Sequence, residues 1–141
     1  MTGMVLAIGN RNYSSWSLRA WLVLAWSGLA FEERRLLVGT AALADGIADF
    51  APARQVPALK LDGAVVWDSL AIAETVAARA PEAALWPRDD AARAFARAVT
   101  AEMHSSFRAL REALPMNLRA RRPGRARDDA AVRADIARIV D

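Results

Sequence analysis

The segment PALKLDGAVVW, residues 57–67, decides the fold of this chain. Residues 57–61 and 65–67 are strand-like, mainly apolar segments that flank Asp62-Gly63, and an Asp-Gly pair between two such segments is a strong signal for a β-hairpin. A hairpin makes its two strands antiparallel. A helix is expected next, over residues 68–80, because Pro81 ends the helical pattern.

The residues before the hairpin alternate between strand-like and helix-like segments. Strands are predicted at 4–9 and 31–38, and helices at 16–27 and 40–50. A strand-helix-strand unit places its strands parallel with a right-handed crossover. The predicted order is therefore β-α-β-α-β-β-α, an α/β fold with a mixed four-stranded sheet and helices on both faces.

The residues after the hairpin unit read as helical. PEAALWPR, residues 81–88, has two prolines and is predicted to be a linker. A long helix is expected over residues 89–114, a loop over 116–127 and a last helix from Asp128. The apolar positions of the long helix are three to four residues apart and form one stripe, which consists of Phe95, Val99, Met103, Phe107 and Leu110.

The first predicted helix is apolar around most of its circumference. Such a helix must be covered on more than one side. The sheet covers one side, and the C-terminal helices are expected to cover another. Without them, Trp21, Trp26, Phe95 and Phe107 would be partly exposed.

The composition excludes several kinds of site. The 141 residues include no cysteine and one histidine, His104, so disulfides, cysteine metal sites, a protein thiol nucleophile and paired-histidine metal sites are excluded. No metal is expected. Residues 1–9 lack the basic start of a signal peptide, and no stretch has the roughly 20 apolar residues of a membrane helix. We expect a cytoplasmic protein with no membrane partner.

The net charge of +3 comes from residues 89–141, where five arginines lie between Arg119 and Arg127. Proteins that bind nucleic acid usually place aromatic or polar side chains among such cations, and this run has none. We therefore expect a solvated loop and no nucleic-acid partner.

Five motifs, in this order along the chain, resemble those of cytosolic glutathione transferases. They are YSSWSLR at 13–19, FAPARQVP at 50–57, WDSLAI at 67–72, LWP at 85–87 and AEMHSSF at 101–107. The serine-first motif is similar to that of the zeta-like branch, which includes maleylacetoacetate isomerases and bacterial relatives.

The resemblance implies a thioredoxin-like, glutathione-binding domain at residues 1–80, a linker at 81–88 and part of an all-helical domain at 89–141. It implies a homodimer with a role in detoxification, which binds glutathione on the first domain and an electrophilic co-substrate between the domains. The reaction would be conjugation or glutathione-dependent isomerisation. Because the family's helical domain is normally longer, the chain looks truncated there. The alternative is a non-catalytic glutathione-binding or protein-interaction module on the same scaffold.

By the same resemblance, Ser14 is the catalytic serine, with Ser15 as its competitor. An unperturbed thiol has a pKa of about 8.5, which a helix N-terminus and nearby donors lower. Ser14 would donate its O–H to the glutathione sulfur beside free backbone N–H groups. Without the resemblance, Ser14 is an ordinary helix N-cap. Trp16 and Arg19 are placed near the same site, and a surface position is equally open for Arg19.

Three more residues are expected to hold glutathione. Val56-Pro57 would be the family's cis-proline turn, with the Val56 N–H and C=O paired to the cysteinyl part, although the sequence leaves a trans bond open. Ser69 would bind the γ-glutamyl carboxylate at a helix start, and Asp68 would face the ammonium. Both also fit a plain capping role.

A possible co-substrate pocket is expected from the long helix. His104, Ser105 and Arg108 have spacings that could place them at the cleft between the domains. For His104, a surface or capping position is the alternative.

Overall fold

The computed structural model describes residues 3–121 and 129–141. Its first part follows the predicted element order. The elements are β1 (Val5–Ile8), α1 (Ser15–Ser27), β2 (Glu32–Arg35), α2 (Ala41–Ala48), β3 (Ala58–Leu61), β4 (Ala64–Trp67) and α3 (Ser69–Arg79).

The four strands form one mixed sheet in the order β2-β1-β3-β4. β1 pairs with β2 in parallel and with β3 antiparallel, and β3 pairs antiparallel with β4. The β3–β4 turn is made by Asp62 and Gly63, both of which have positive φ angles, 50° and 87°. This backbone conformation suits glycine. The predicted α/β fold and the hairpin are confirmed.

The sheet carries helices on both faces because its side chains alternate along each strand. Leu6 and Leu59 point to the face covered by α1 and α3, where they join Leu24 and Ile72 in one core. The opposite face is covered by α2 and the segment after it; its core consists of Ala7, Leu36, Ile47, Phe50, Ala53 and Ala58.

The region after α3 is helical but does not contain the single long helix that the sequence predicts. A short 3-10 turn (Pro81–Ala83) is followed by α4 (Asp90–Ser105), α5 (Arg108–Ala113) and α6 (Ala130–Val140). The prediction of one helix over residues 89–114 is wrong, because Phe107 has a left-handed conformation with a φ of 64° and separates α4 from α5. The guanidinium of Arg111 donates to the carbonyls of Met103 and Ser106, which satisfies backbone acceptors at the end of α4.

The break also changes which aromatic side chains are buried. Phe107 is 8% exposed, so its expected exposure is wrong. Trp21 packs against the core of the first face and is partly exposed, as expected. Trp26 and Phe95 are exposed as expected, at 79% and 71%. The second cover of α1 comes mainly from α3, and the C-terminal helices reach α1 at Trp16.

Side-chain contacts join α4 to the first part of the chain and α6 to α4 and α5. Glu74 of α3 accepts hydrogen bonds from Arg97 of α4 at 3.1 Å and from the Trp86 indole at 3.3 Å. Arg138 of α6 donates two bonds to Glu102, at 2.7 and 2.9 Å. The backbone N–H of Leu110 donates to Asp135 of α6 at 2.9 Å. The Glu74 contact therefore joins α4 to α3, and the contacts of Arg138 and Asp135 join α6 to α4 and α5.

Two sequence predictions fall on residues that the structure does not describe. The arginine-rich stretch extends through residues 122–127, and the predicted start of the last helix is Asp128; all lie outside the described residues. Within the described ranges, α6 begins at Ala130 and is capped by Asp129, whose side chain accepts from two backbone N–H groups. Among the described helices, none is long and apolar enough to cross a membrane.

Candidate functional site

The start of α1 presents unpaired donors beside Ser14. The Ser14 side-chain oxygen accepts from the backbone N–H of Ser17 at 3.2 Å, which makes Ser14 the N-cap of α1. The backbone N–H groups of Ser15 and Trp16 have no hydrogen-bond partner among residues 3–121 and 129–141. Free N–H groups and the helix dipole make this end of α1 suited to a negatively charged atom.

The loop before α1 is fixed by two side chains. The Asn10 side-chain oxygen accepts from the backbone N–H groups of Asn12 and Tyr13, at 2.6 and 3.3 Å, and so turns the chain towards α1. The buried Ser17 oxygen accepts from the Gly9 N–H at 3.1 Å, which joins the end of β1 to the first turn of α1. Ser14 therefore has a defined position relative to the sheet.

An open cleft of about 910 Å³ lies against this helix start. Its walls come from the β1–α1 loop, the β2–α2 segment, the residues before β3 and the C-terminal helices. The sequence-predicted residues among them are Ser14, Ser15, Trp16 and Val56. The walls from the C-terminal helices are mostly apolar and consist of Met103, Phe107, Leu110, Arg111, Leu114, Pro115, Met116 and Ile139.

Val56 reaches the cleft from the turn before β3. The Val56–Pro57 peptide bond is cis, as is the Ala51–Pro52 bond. The Val56 N–H and C=O make no hydrogen bond within the described parts of the chain. They are thus free to pair with an extended ligand backbone.

Asp68 and Ser69 begin α3 rather than lining the cleft itself. The Asp68 Oδ1 accepts from the Leu70 N–H at 2.9 Å and caps the helix, with Asp68 held at a φ of 76°. Ser69 is the first residue of α3 and is 5% exposed. Capping and ligand binding are compatible here, because the Asp68 side chain remains 44% exposed.

The Trp16 ring carries a cluster of cationic and polar groups. The guanidinium carbons of Arg19 and Arg111 lie 4.6 and 4.9 Å from its ring centroid. The His104 ring meets Trp16 edge-on, with the centroids 5.2 Å apart. Burial of Arg19, and secondly the charge of Arg111, lower the pKa of the Arg19 guanidinium. Arg19 therefore lies beside the start of α1, although it does not line the cleft.

The residues expected to form a co-substrate pocket are not among those that line this cleft. His104 contacts Asp68, the Ser105 hydroxyl donates to the Ala101 carbonyl at 3.0 Å, and neither lines the cleft. Arg108 is exposed and pairs with Glu112 at 2.7 Å; this hydrogen bond raises the pKa of Arg108.

Sequence reasoning missed Arg111 and Ser17 and assigned no site role to Phe107. Arg111 follows Phe107 by four residues, so a same-face argument from the apolar stripe could have found it. Ser17 had no sequence signal beyond being a serine in an apolar helix. For metals, no group of three or more potential ligands occurs in the described ranges.

The N-terminal part of the chain is similar to a known protein family. Residues 13–79 match the family model described as "Glutathione S-transferase, N-terminal domain". This segment is therefore similar to glutathione S-transferase N-terminal domains. A comparison with curated proteins found no significant match.

Solved structures with the same fold include several glutathione transferases. A glutathione transferase homologue from Burkholderia gl BGR1, crystallised with bound glutathione, is 30% identical over 79% of this chain, with a TM-score of 0.67. A maleylacetoacetate isomerase from Anaeromyxobacter dehalogenans is 34% identical over 80% of this chain, with a TM-score of 0.59. The chain spans 62% of the length of the first and 52% of the second.

A glutathione transferase Omega 2S from Trametes versicolor extends the likeness of fold beyond the N-terminal domain. It has a TM-score of 0.75 over 99% of this chain and 61% of its own length, at 20% identity. The short C-terminal helical region is therefore part of the shared fold. The thioredoxin-like N-terminal domain followed by helices, which the sequence predicts, is confirmed.

Proposed function

We propose that this chain is a glutathione transferase that binds glutathione with its sulfur at the start of α1. The observation that carries the proposal is the position of Ser14, which caps α1 at the cleft wall beside the unpaired N–H groups of Ser15 and Trp16. The matched N-terminal domain and the glutathione bound to the Burkholderia protein support the choice of ligand.

In the proposed mechanism the protein stabilises a thiolate. The Ser14 oxygen accepts from Ser17, so its own O–H remains available to donate to the glutathione sulfur. That donor and the N-terminal start of α1 would lower the pKa of the glutathione thiol by about one unit or more, and the thiol proton leaves to solvent. The sulfur lone pair then forms a bond to the electrophilic carbon. A leaving group departs in conjugation, whereas in isomerisation the thiolate adds to a double bond and leaves after rotation.

The rest of glutathione is proposed to follow the sheet edge towards α3. The Val56 N–H and C=O pair with the cysteinyl residue. Ser69 binds the γ-glutamyl carboxylate at the start of α3, and Asp68 faces the γ-glutamyl ammonium. Arg19 supports the site from beneath Trp16. The assignments of Val56, Asp68 and Ser69 rest on free groups or a helix start, and that of Arg19 rests on its contact with the Trp16 ring.

The co-substrate is proposed to occupy the apolar side of the same cleft. Met103, Phe107 and Leu110 line this side, so an electrophile with an apolar body fits it. In this proposal Met103, Phe107 and Leu110 form the wall of the co-substrate pocket, in place of the expected His104, Ser105 and Arg108. Membership of the zeta-like branch, a homodimer, a cytoplasmic location and a role in detoxification belong to the same proposal, as does the division into residues 1–80, 81–88 and 89–141.

A conjugation assay with a generic aryl halide tests the proposal. We expect turnover that saturates with glutathione and that falls in Ser14→Ala by about tenfold or more in kcat/KM. Ser27→Ala is the matched control, because Ser27 is at the other end of α1, where its hydroxyl donates to the Leu24 carbonyl at 2.7 Å. Glutathione binding without turnover would favour the non-catalytic glutathione-binding module. A folded chain that does not bind glutathione would rule out the transferase and leave only a protein-interaction module.

A further inference from the structure

His104 connects the two helix starts of the candidate site. It lies in the last turn of α4, outside the matched segment 13–79. Its Nε2 is 3.4 Å from the Asp68 Oδ2, and its ring contacts the edge of Trp16. One side chain of the C-terminal helices therefore touches both the cap of α3 and the first turn of α1.

Each oxygen of the Asp68 carboxylate has a neighbour. Oδ1 accepts from the Leu70 N–H at 2.9 Å, and Oδ2 faces His104. The Asp68 side chain is still 44% exposed, so a ligand can reach it. A neutral imidazole with its proton on Nε2 can donate towards Oδ2 and leave the carboxylate charge intact.

The packing of α4 on α3 fixes this contact. Arg97, two turns before His104 on α4, donates to Glu74 of α3 at 3.1 and 3.3 Å. The later residue of α4 meets the earlier residue of α3, so the helices run antiparallel at these contacts. Seven residues along α4 and six along α3 span similar lengths, about 10 Å and 9 Å. The Glu74 contact therefore brings His104 level with Asp68.

We propose that His104 is a positioning residue for the γ-glutamyl ammonium of glutathione. It acts through Asp68, whose carboxylate it orients, and takes no part in activating the thiol. This proposal rests on the proposed function, because it needs glutathione to be the ligand. It also gives the C-terminal helices a role in binding glutathione itself, in addition to forming the co-substrate wall.

The test compares two ligands, glutathione and its analogue that lacks the γ-glutamyl amino group, by calorimetric titration of the full chain. We expect the wild type to prefer glutathione by about tenfold or more, since a hydrogen bond between two charged groups is lost with the analogue. In His104→Phe, which keeps an aromatic ring beside Trp16 but removes the donor, this preference should fall by about threefold to tenfold. In His104→Gln, whose amide nitrogen takes about the place of Nε2, the preference should be largely retained.

Arg138→Gln is the matched control, because Arg138 joins α6 to α4 through Glu102 and makes no hydrogen bond to α3 or Asp68 among the described residues. It should leave the ratio of the two affinities unchanged, even if both affinities change. The inference is overturned if His104→Phe keeps the wild-type preference, if it weakens both ligands equally, or if His104→Gln loses the preference as fully as His104→Phe. Binding of glutathione by the wild type with any of these results leaves the proposed function standing, whereas no binding by the folded wild type overturns both.

Discussion

The Ser17 hydroxyl oxygen and the Gly9 backbone N–H are 3.1 Å apart and form a buried hydrogen bond between α1 and the end of β1. Ser17 is fully buried in an otherwise apolar part of the helix. The bond fixes the first turn of α1, and with it Ser14, against the sheet. The position of the candidate thiolate site therefore depends on a residue that does not line it.

Ser17→Ala should destabilise the fold by about 1–3 kcal/mol, because it leaves the buried Gly9 N–H without an acceptor. Urea denaturation followed by circular dichroism measures this change. Ser105→Ala is the control: Ser105 is exposed, and its hydroxyl contacts the Ala101 carbonyl in its own helix and the Ser106 hydroxyl next to it, so the change should stay within about 0.5 kcal/mol. Equal stabilities of the two variants would show that the Ser17 bond contributes nothing.

Gly9→Ala should weaken glutathione binding. A Cβ at Gly9 would lie 2.5 Å from the Val38 Cγ2 and 3.3 Å from the Val56 Cγ2, so the side chains of both cleft residues must move. Gly3→Ala is the control, because a Cβ there meets no atom within 4 Å. Calorimetry should give a higher Kd for Gly9→Ala alone; unchanged affinity in both would mean that Val38 and Val56 can shift without affecting the site.

Ser14→Ala should raise the pKa of the bound glutathione thiol, since the variant loses a donor that favours the charged form. The thiolate absorbance of the complex, followed against pH, measures this pKa. The same variant loses the N-cap of α1, at a cost of about 1 kcal/mol. Ser15→Ala should change the thiol pKa less, because in the proposed mechanism the Ser14 hydroxyl is the donor to the sulfur. A larger rise in Ser15→Ala would transfer the catalytic role to Ser15.

Phe107→Gly should be more stable than Phe107→Ala by about 1 kcal/mol. Both variants lose the buried ring, but only glycine adopts a φ of 64° without cost. At Phe95, an exposed position inside α4, the order should reverse, with the glycine variant about 1 kcal/mol less stable than the alanine variant. Thermal denaturation of the four variants measures both differences, and the same order at both positions would contradict the left-handed conformation of Phe107.

The fold of the first 80 residues could be predicted because its signals are local. The Asp62-Gly63 turn, the glycine after α1 and the alternation of apolar residues along the strands each act within a few residues. The break between α4 and α5 could not be predicted in the same way. The stripe from Phe95 to Leu110 has helical spacing straight through the break, and the bonds from Arg111 to the carbonyls of Met103 and Ser106 form only once the chain has turned.

In the candidate site, too, the residues set by local sequence could be predicted, and the contact set by helix packing could not. Ser14, Val56 and Ser69 lie at helix starts and at a turn before a strand, positions that motif spacing can locate. The relation of His104 to Asp68 depends on how α4 packs against α3, which no motif records. The sequence consequently placed His104 towards the co-substrate, whereas in the structure it contacts the cap of α3.

The central claim is that the start of α1 holds glutathione as a thiolate. Calorimetric titration of the chain at pH 7 in two buffers of different ionisation enthalpy measures it most directly, because the difference in heat counts the protons released on binding. A free thiol with a pKa of about 8.5 is almost fully protonated at pH 7, so stabilisation of the thiolate must release a substantial fraction of a proton. S-Methylglutathione has no thiol proton and should bind without this release. The account predicts binding of both ligands with proton release for glutathione alone. Equal proton release for the two ligands, or no binding of glutathione by the folded chain, would contradict it.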